Sequence, residues 1–424
     1  MIRFLFKGVI RDKARSRLPI IIVTIGVVLT ITLSSFVTGI MRDMIDLNAH
    51  FKTGHVKVMT RSYAENQSQL PIDLAILGVD SLRGVLESQF PDMNWVERIP
   101  FGGLMDIPDE NGETRGQGPV SGLAIDLFSN NSQEVDRLSI PSSLQSGRLP
   151  EKSREALISH NFAQNMNVKP GDEVTFFGST MYGSMTFYNF KVTGTVSFGN
   201  PALDRGGLII DISDARSIFD MQDGASEILG YFEDDIYDHE KADEISSEFN
   251  ARFKGSDDEF APVMKPLKQQ NQLASIIDTT ENMNQIFIFV FVLAMSIVLW
   301  NTGLLGGLRR YKEFGVRLAL GERKTHIYKT MIYEAFFIGL IGSIIGTALG
   351  LAVAYPLQEY GLYFGDLMKN SSMMMPNTYR ALITPGTFYI GLIPGLFAMI
   401  LGQALSGIGI YKRETARLFK ELEV

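Results

Sequence analysis

The sequence predicts a membrane protein with four transmembrane α-helices and a large α+β domain between the first and second helices. Three observations lead to this fold class. Four long stretches are almost free of charge, the long block after the first alternates strand and helix patterns, and lysine and arginine gather in particular connections. The 424 residues include no cysteine, which excludes disulfides and thiol chemistry, and the net charge of −8 argues against a nucleic-acid partner.

The first span is predicted at residues 18–40, which form 23 uncharged residues between Arg17 and Arg42. This length matches the roughly 20 apolar residues needed to cross a bilayer. A secretory signal peptide is the alternative, because six basic residues precede the stretch. The apolar region of a signal peptide covers only about 7–15 residues, so the sequence favours a membrane anchor.

Three further apolar stretches predict spans at 286–307, 327–356 and 385–410. Within the third of the four, Glu334 could occupy an interfacial position or relay protons. Pro394 predicts a kink in the fourth span, because proline in a helix interior removes a hydrogen bond and clashes with the preceding turn.

The distribution of lysine and arginine predicts how the chain is oriented. The segments before the first span, between the second and third, and after the fourth together carry a net charge of +11 when Lys329 at the start of the third span is included, whereas the block 41–285 carries −18. Cytoplasmic connections are enriched in lysine and arginine. The basic segments 1–17, 308–326 and 411–424 are therefore predicted to be cytoplasmic, and 41–285 and the short loop 357–384 are predicted to lie outside.

The outer block 41–285 is long enough to bury a core of its own, and its patterns indicate an α+β domain. Ser159 is predicted to cap the N-terminus of a helix ending at Met166. Strands are predicted at 55–59, 155–159, 173–177, 186–197 and 207–212, and helices at 81–90, 160–166 and 236–253.

The sequence contains no pattern typical of catalysis or metal binding. The five histidines are scattered without metal-ligand spacing, and the acid-rich stretch 233–259 lacks the spacing of a calcium-binding loop. A solvated helix face explains that stretch. No nucleophile elbow is present, so we expect no catalytic site, metal or cofactor in this chain.

The loop between the second and third spans combines charge with helical spacing, and two interpretations compete. Its arginines could simply contact lipid head groups. Alternatively, Arg309, Glu313 and Arg317, spaced four residues apart, could present one charged helix face to a cytoplasmic partner.

The third span carries a row of small residues at four-residue spacing, Gly342, Gly346 and Gly350. Such rows allow close helix approach in lipid, where the hydrophobic effect provides no pairing force between helices. Packing inside the bundle and packing against a second subunit are both open.

The segment 309–321 resembles the R-x-x-x-E-x-G-x-x-x-A-x-G signature of FtsX/MacB-type permeases of ABC transporters. In that family it forms the loop that couples the permease to its ATPase. The resemblance implies coupling residues at the following positions: Arg309, Arg310, Lys312, Glu313, Gly315, Arg317 and Gly321.

Further segments resemble the core of a MacB-like periplasmic domain, in the same order along the chain. They are 144–148, 155–159, 168–174, 190–196 and 209–215. The length, the absence of an attached ATPase and the loop around Gly365 and Pro376 are most similar to the LolC/LolE lipoprotein-release permeases. The long hairpin by which LolC hooks its carrier is represented here only by a short turn, with a candidate partner loop at Gly178, Met181, Tyr182 and Gly183.

The resemblance implies a permease in the bacterial inner membrane, driven by two copies of a separate ATPase that binds ATP and magnesium. It would pair with a second permease subunit and, in contact with membrane lipid, extract lipoproteins toward the outer membrane, with or without a periplasmic carrier. Efflux or peptide export, and FtsX-like control of a cell-wall hydrolase, are the alternatives. No phosphate-binding G-x-x-x-x-G-K-[ST] motif occurs, so this chain is expected not to be an enzyme.

Overall fold

The structure is a computed structural model that describes residues 13–109, 111–129, 132–199, 201–255, 258–270, 273–274, 285–290, 292–298, 300–301, 316–364 and 378–412. The described residues form two units. The helical unit falls within 1–42, 277–362 and 378–424, and the unit that we call the sheet domain falls within 43–276 and 363–377.

Three helices in the described part of the chain are long and apolar enough to cross a membrane: Ser16–Thr53, Lys324–Glu359 and Thr387–Leu405. The sequence predicts four. At the second predicted span, 286–307, the described residues 286–290, 292–298 and 300–301 are helical, and the other residues of that span lie outside the described residues. The described part of the chain therefore contains three candidate spans where the sequence predicts four, and the second predicted span stays a prediction.

The helices of the chain are numbered α1 to α13. They are α1 (Lys13–Asn48), α2 (Arg61–Asn66), α3 (Val79–Gln89), α4 (Glu134–Arg137), α5 (Ile140–Ser143), α6 (His160–Met166), α7 (Pro201–Asp204), α8 (Ile212–Phe219), α9 (His239–Ala251), α10 (Gln285–Val298), α11 (Lys324–Glu359), α12 (Thr387–Ile390) and α13 (Leu392–Lys412).

The last predicted span is interrupted where proline predicts a distortion. Helix α12 ends at Ile390, Gly391 forms a turn, and α13 begins at Leu392 with Pro394 in its first turn. The break has a direct cause, because the proline ring clashes with the carbonyl four residues earlier, which is that of Ile390.

The strands of the chain are β1 (Val56–Thr60), β2 (Ile76–Leu77), β3 (Met93–Pro108), β4 (Thr114–Ile125), β5 (Leu144–Gly147), β6 (Glu155–Ser159), β7 (Glu173–Ser179), β8 (Met185–Val196), β9 (Gly207–Asp211), β10 (Gly224–Ala225), β11 (Glu227–Phe232), β12 (Pro262–Pro266), β13 (Leu362–Tyr363) and β14 (Thr378–Tyr379). Ten of them form one sheet in the order β12-β1-β11-β3-β4-β9-β6-β8-β5, with β7 pairing β3 and β8. Most pairs are antiparallel, but β4–β9 and β6–β8 are parallel.

The core of the sheet domain is aromatic and aliphatic. Phe101 on β3, Phe176 on β7 and Phe219 at the end of α8 are fully buried, and their ring centroids lie 5.1–6.1 Å apart. Successive side chains of a strand point to opposite faces of the sheet. Leu104 of β3 and Phe177 of β7, which pair with each other, therefore lie on the face opposite to this cluster.

Local signals in the sequence set the start of helix α6. The side chain of Ser159 accepts a hydrogen bond of 3.0 Å from the backbone N–H of Phe162, as an N-cap residue does. The same hydroxyl donates to the carbonyl of Asp204, which ties the helix start to α7.

Candidate functional site

The predicted coupling segment is described only from residue 316 onward. Arg317 and Gly321 are described, whereas the other predicted coupling residues lie outside the described residues: Arg309, Arg310, Lys312, Glu313 and Gly315. The local geometry of the described part gives a physical reason for the last glycine of the signature.

Gly321 ends a helical turn that covers residues 316–319. The N–H of Glu322 donates to the carbonyl of Arg317, and the N–H of Gly321 donates to the carbonyl of Leu318, both at 3.0 Å. This pair of bonds is the Schellman motif, which places its C′ residue in the left-handed region. Gly321 has φ +88°, a conformation that a side chain would strain.

The described part of the coupling segment has one anchored face and one free apolar face. Leu318 packs against Ile327 and Met331 of α11. Val316 and Leu320, four residues apart, are 56% and 82% exposed. Residues four apart share a helix face, so this face can contact an apolar surface of a partner.

The glycine row of the third span faces α1 in the helical unit. A Cβ added at Gly342 would lie 2.8 Å from Cγ1 of Val23, and one added at Gly346 would lie 2.7 Å from Cβ of Val27. These distances are shorter than the contact distance of two carbon atoms, about 3.5–4.0 Å. The absence of a side chain therefore allows α11 and α1 to approach closely.

Other groups extend this contact. Gly350 meets Ile31 in the same way, and the hydroxyl of Thr24 donates to the carbonyl of Gly342 at 3.3 Å. Gly391, at the break before α13, approaches the same Val27 and Ile31 side chains. In the described helical unit, the glycine row thus packs inside one chain.

The candidate partner loop is the turn of the β7–β8 hairpin. The N–H of Met181 donates to the carbonyl of Phe219 at 2.9 Å, and its side chain packs against the core of the sheet domain. Gly183 closes the turn through a 3.0 Å bond from its N–H to the carbonyl of Thr180. Tyr182, between these two anchors, is 72% exposed, and Gly178 lies where the turn leaves β7.

An apolar row crosses the strands next to this turn. Leu104 of β3 pairs with Phe177 of β7, which pairs with Phe187 of β8, so all three lie at the same level on one face. Phe187 and the nearby Met185 are 73% and 84% exposed. Exposed apolar groups that cluster in this way are typical of a contact surface.

The turn and the apolar row border a cleft of about 770 Å³. The other side of the cleft is formed by the segment that contains Gln69, Ile72 and Asp73. The predicted loop residues Gly178, Met181, Tyr182 and Gly183 all line it. The structure therefore brings the predicted partner loop together with Leu104 and Phe177, which the sequence analysis did not select.

A buried group of charges, Arg98, Glu134 and Arg137, was also missed. Arg98 is 1% exposed, and its Nε and Nη2 contact the two carboxylate oxygens of Glu134 at 2.6 and 3.1 Å. Arg137 Nη1 donates to the same carboxylate at 3.0 Å. Burial on its own would raise the pKa of Glu134, but the two guanidinium groups lower it.

The pKa of Arg98 shifts in the opposite sense. Burial alone would lower the pKa of Arg98, yet the charge of Glu134 raises it above its ordinary value. A second buried pair joins Lys57 Nζ to Glu227 at 2.8 Å, and Glu227 also accepts from the hydroxyl of Tyr63 at 3.3 Å. The described residues contain no group of histidine and acidic side chains that could hold a metal ion.

Comparison with known families gives two adjoining matches. Residues 18–247 match the MacB-like periplasmic core domain, and residues 285–415 match the FtsX-like permease C-terminal region. The two matches cover the first span, the sheet domain as far as residue 247, and the helices from α10 onward.

Among individual proteins, the chain is similar to an uncharacterized ABC transporter permease of Methanocaldococcus jannaschii, with 23% identity over 430 residues and 98% of each chain covered. It is also similar to the macrolide export ATP-binding/permease protein MacB of Wolinella succinogenes, with 28% identity over 28% of this chain. That match covers 18% of the MacB protein, so this chain corresponds to a minor part of its length.

A solved structure, the periplasmic region of MacB from Actinobacillus actinomycetemcomitans, is also similar. It is 13% identical, with a TM-score of 0.35, and the match covers 53% of this chain and 94% of that one.

Proposed function

This chain belongs to the FtsX/MacB-type family of ABC transporter permeases, and from that premise we propose that it transmits ATP-driven motion to its sheet domain. Two copies of a separate cytoplasmic ATPase would bind ATP and magnesium and supply the energy. A second permease subunit, identical or homologous, would complete the transporter. The observation that carries this proposal is the adjoining pair of family matches, which joins a MacB-like domain to an FtsX-like permease region in one chain.

The coupling segment supports the contact with the ATPase. Leu318 anchors the segment to α11, whereas Val316 and Leu320 stay exposed on the other side. Arg309 and Glu313 precede this face in the sequence at helical spacing. An apolar spot beside alternating charges suits a protein partner better than lipid head groups, which would attract the cations alone.

We place the basic segments 1–17, 308–326 and 411–424 in the cytoplasm and the sheet domain in the periplasm of a bacterium, with the helices in the inner membrane. The charge of +11 on the basic connections with Lys329 included, and −18 on 41–285, supports this orientation. The substrate that we propose is a lipoprotein, extracted from the inner membrane toward the outer membrane. The row of the exposed Leu104 and Phe187 with the half-buried Phe177 between them is an apolar surface that a periplasmic carrier could contact.

Macrolide or peptide export is the second candidate, and the matches to MacB proteins favour it. The two candidates differ in what accumulates when the chain is depleted. Lipoproteins retained in the inner membrane would support release, whereas sensitivity to macrolides without lipoprotein retention would support export. If neither occurs and the full-length chain captures a cell-wall hydrolase, FtsX-like regulation replaces both.

An exchange of charges tests the ATPase contact. The double variant Glu313→Arg with Arg317→Glu reverses the charge pattern of the coupling segment without changing net charge. We expect it to lose co-purification with the ATPase and to lose ATP turnover. The matched control exchanges Lys412→Glu with Glu414→Lys, in the segment 411–424 that follows the fourth predicted span, and should retain both. If the coupling exchange leaves binding and turnover intact, the coupling assignment is wrong.

A further inference from the structure

The chain enters the sheet domain through an unusual helix end. Helix α1 is continuous from Lys13 to Asn48 and then widens into a π-helical turn, Ala49–Thr53. π-helical turns are rare and are frequently found at functional sites. The last carbonyl groups of any helix lack partners within the helix, so a buried helix end needs donors from elsewhere.

Two buried side chains of the sheet supply those donors. Arg98 of β3 donates from Nη1 to the carbonyl of His50, and Tyr231 of β11 donates its hydroxyl to the carbonyl of Ala49 at 2.9 Å. Arg98 Nη2 also contacts the Tyr231 oxygen at 3.2 Å. A cation at a helix C-terminus complements the negative end of the helix dipole, which favours arginine at this position.

Every nitrogen of the Arg98 guanidinium is committed. Nε and Nη2 contact Glu134, and Nη1 contacts the helix end. Arg137 lies over the ring of Tyr231, with its guanidinium carbon 3.9 Å from the ring centroid, and donates to Glu134. The planar fork of arginine fixes direction as well as distance, so this set of bonds holds the helix end in one orientation relative to β3 and β11.

The segment that leaves the sheet domain is bonded to the same place. Gln270, which is buried, donates from Nε2 to the carbonyl of Thr53 at 3.3 Å, and the N–H of Leu267 donates to the carbonyl of His55 at 3.0 Å. Strand β12 also pairs with β1 along its full length. The entering and leaving segments of the sheet domain are therefore tied to each other as well as to the sheet.

A buried ion pair is a poor way to gain stability, because apolar side chains of similar volume fill the same space without the loss of hydration. Its use is to specify one arrangement. The two buried ion pairs of the sheet domain fix different contacts. Arg98–Glu134 reaches the backbone at the end of helix α1, whereas Lys57–Glu227 joins strands β1 and β11.

We propose that Arg98, Glu134, Arg137, Tyr231 and Gln270 form a rigid joint, through which displacement of the first transmembrane helix moves the sheet domain as one body. This inference rests on the proposed function, since it concerns the transmission of ATP-driven motion. The members of the joint are positioning residues. They act through the carbonyl groups of residues 49–53.

The test measures transmission separately from ATP turnover. Because the chain has no cysteine, Gln117→Cys on the sheet domain and His326→Cys on α11 provide a clean pair of spin-label sites, both exposed. The distance between the labels is measured by pulsed electron spin resonance in the full complex with its ATPase in lipid nanodiscs, without nucleotide and after trapping with ATP, magnesium and vanadate. ATP hydrolysis is measured on the same samples.

Three backgrounds are compared. Arg98→Met with Glu134→Leu removes the Arg98–Glu134 ion pair and keeps its volume, and Arg137 retains Gln133 as a partner. Tyr231→Phe removes only the hydroxyl that donates to the carbonyl of Ala49. If the double variant does not fold, this single variant tests whether the joint transmits the motion. The matched control, Lys57→Met with Glu227→Gln, removes the other buried pair and keeps an acceptor for Tyr63.

We expect the wild-type and control distances to shift on trapping. The joint variants should hydrolyse ATP at the wild-type rate but show less than half of the wild-type shift, with a broader distribution. A full shift in the joint variants, or an equal loss in the control, overturns the joint. If the wild-type complex hydrolyses ATP without any shift, the proposed function itself fails, and the joint fails with it.

Discussion

The substitution Gly346→Leu tests whether the glycine row sets the distance between the first and third spans. Gly346 is buried against α1 in the middle of α11, with Thr24 and Val27 as its neighbours. Ala348 lies two residues away on the same helix and is exposed. Ala348→Leu is therefore a matched control that adds a similar volume where no helix is in contact.

The expected loss of stability follows from the distances between a Cβ atom at residue 346 and its neighbours in α1. A Cβ at residue 346 would lie 2.7 Å from Cβ of Val27 and 2.9 Å from the carbonyl oxygen of Thr24. Carbon atoms in contact lie about 3.5–4.0 Å apart, so α1 and α11 must separate by about 1 Å. Overpacking of this kind destabilises a protein by about 1–3 kcal/mol. The better helix propensity of leucine over glycine returns about 0.7 kcal/mol, which leaves a net loss of about 1–2 kcal/mol.

The assay is the free energy of unfolding of the purified full chain in bicelles, obtained from a denaturant titration followed by circular dichroism. Gly346→Leu should lose about 1–2 kcal/mol, whereas Ala348→Leu should stay within about 0.5 kcal/mol of the wild type. Equal stability of the two variants would refute the close approach of α1 and α11.

Three further predictions concern the sheet domain and the orientation of the chain. Arg98→Met alone should lower the free energy of unfolding by up to about 3 kcal/mol, because Glu134 loses one of its two cations but keeps Arg137. Adding both Glu134→Leu and Arg137→Met removes every charge of the group and should restore most of the loss in the same titration. Burial lowers the pKa of His55 from 6.5 to about 4. Between these two values the unfolded chain binds the extra proton and the folded chain does not, so stability should rise with pH from about 4 to 6.5, a slope that His55→Gln should remove in titrations at several pH values. On intact cells, an impermeant thiol reagent should label Gln117→Cys and spare His326→Cys, and the opposite pattern would reverse the proposed orientation.

Local patterns predicted a substantial part of the sheet domain. Strand β6 (Glu155–Ser159) and helix α6 (His160–Met166) have the predicted bounds, because a buried apolar run and a capping serine are encoded within a few residues. The helix predicted at 236–253 is shorter in the structure, His239–Ala251, since Asp238 caps its start. The long strands β3 and β4 were not predicted, because their glycines and prolines weaken the alternating pattern.

The candidate sites also differ in how far local sequence patterns could predict them. The coupling signature and the glycine row are local motifs, so the sequence alone could predict them; the structure shows the packing of the glycine row, and the coupling role stays a prediction. Arg98 and Glu134 lie 36 residues apart, and the fold brings them together through the pairing of β3 with β11 and the position of α4. The apolar row of Leu104, Phe177 and Phe187 depends on the register of three strands. Neither arrangement has a local signature, so only the structure could identify them.

The central claim, that this chain couples to a separate ATPase, is tested most directly by a photo-crosslink from the coupling segment. A benzophenone amino acid is placed at Leu320, which is 82% exposed, and the complex is irradiated in native membranes. We expect a covalent adduct with the ATPase subunit from Leu320 and none from the same probe at Gln117 of the sheet domain. Absence of an ATPase adduct at Leu320, or an equal yield at Gln117, would contradict it.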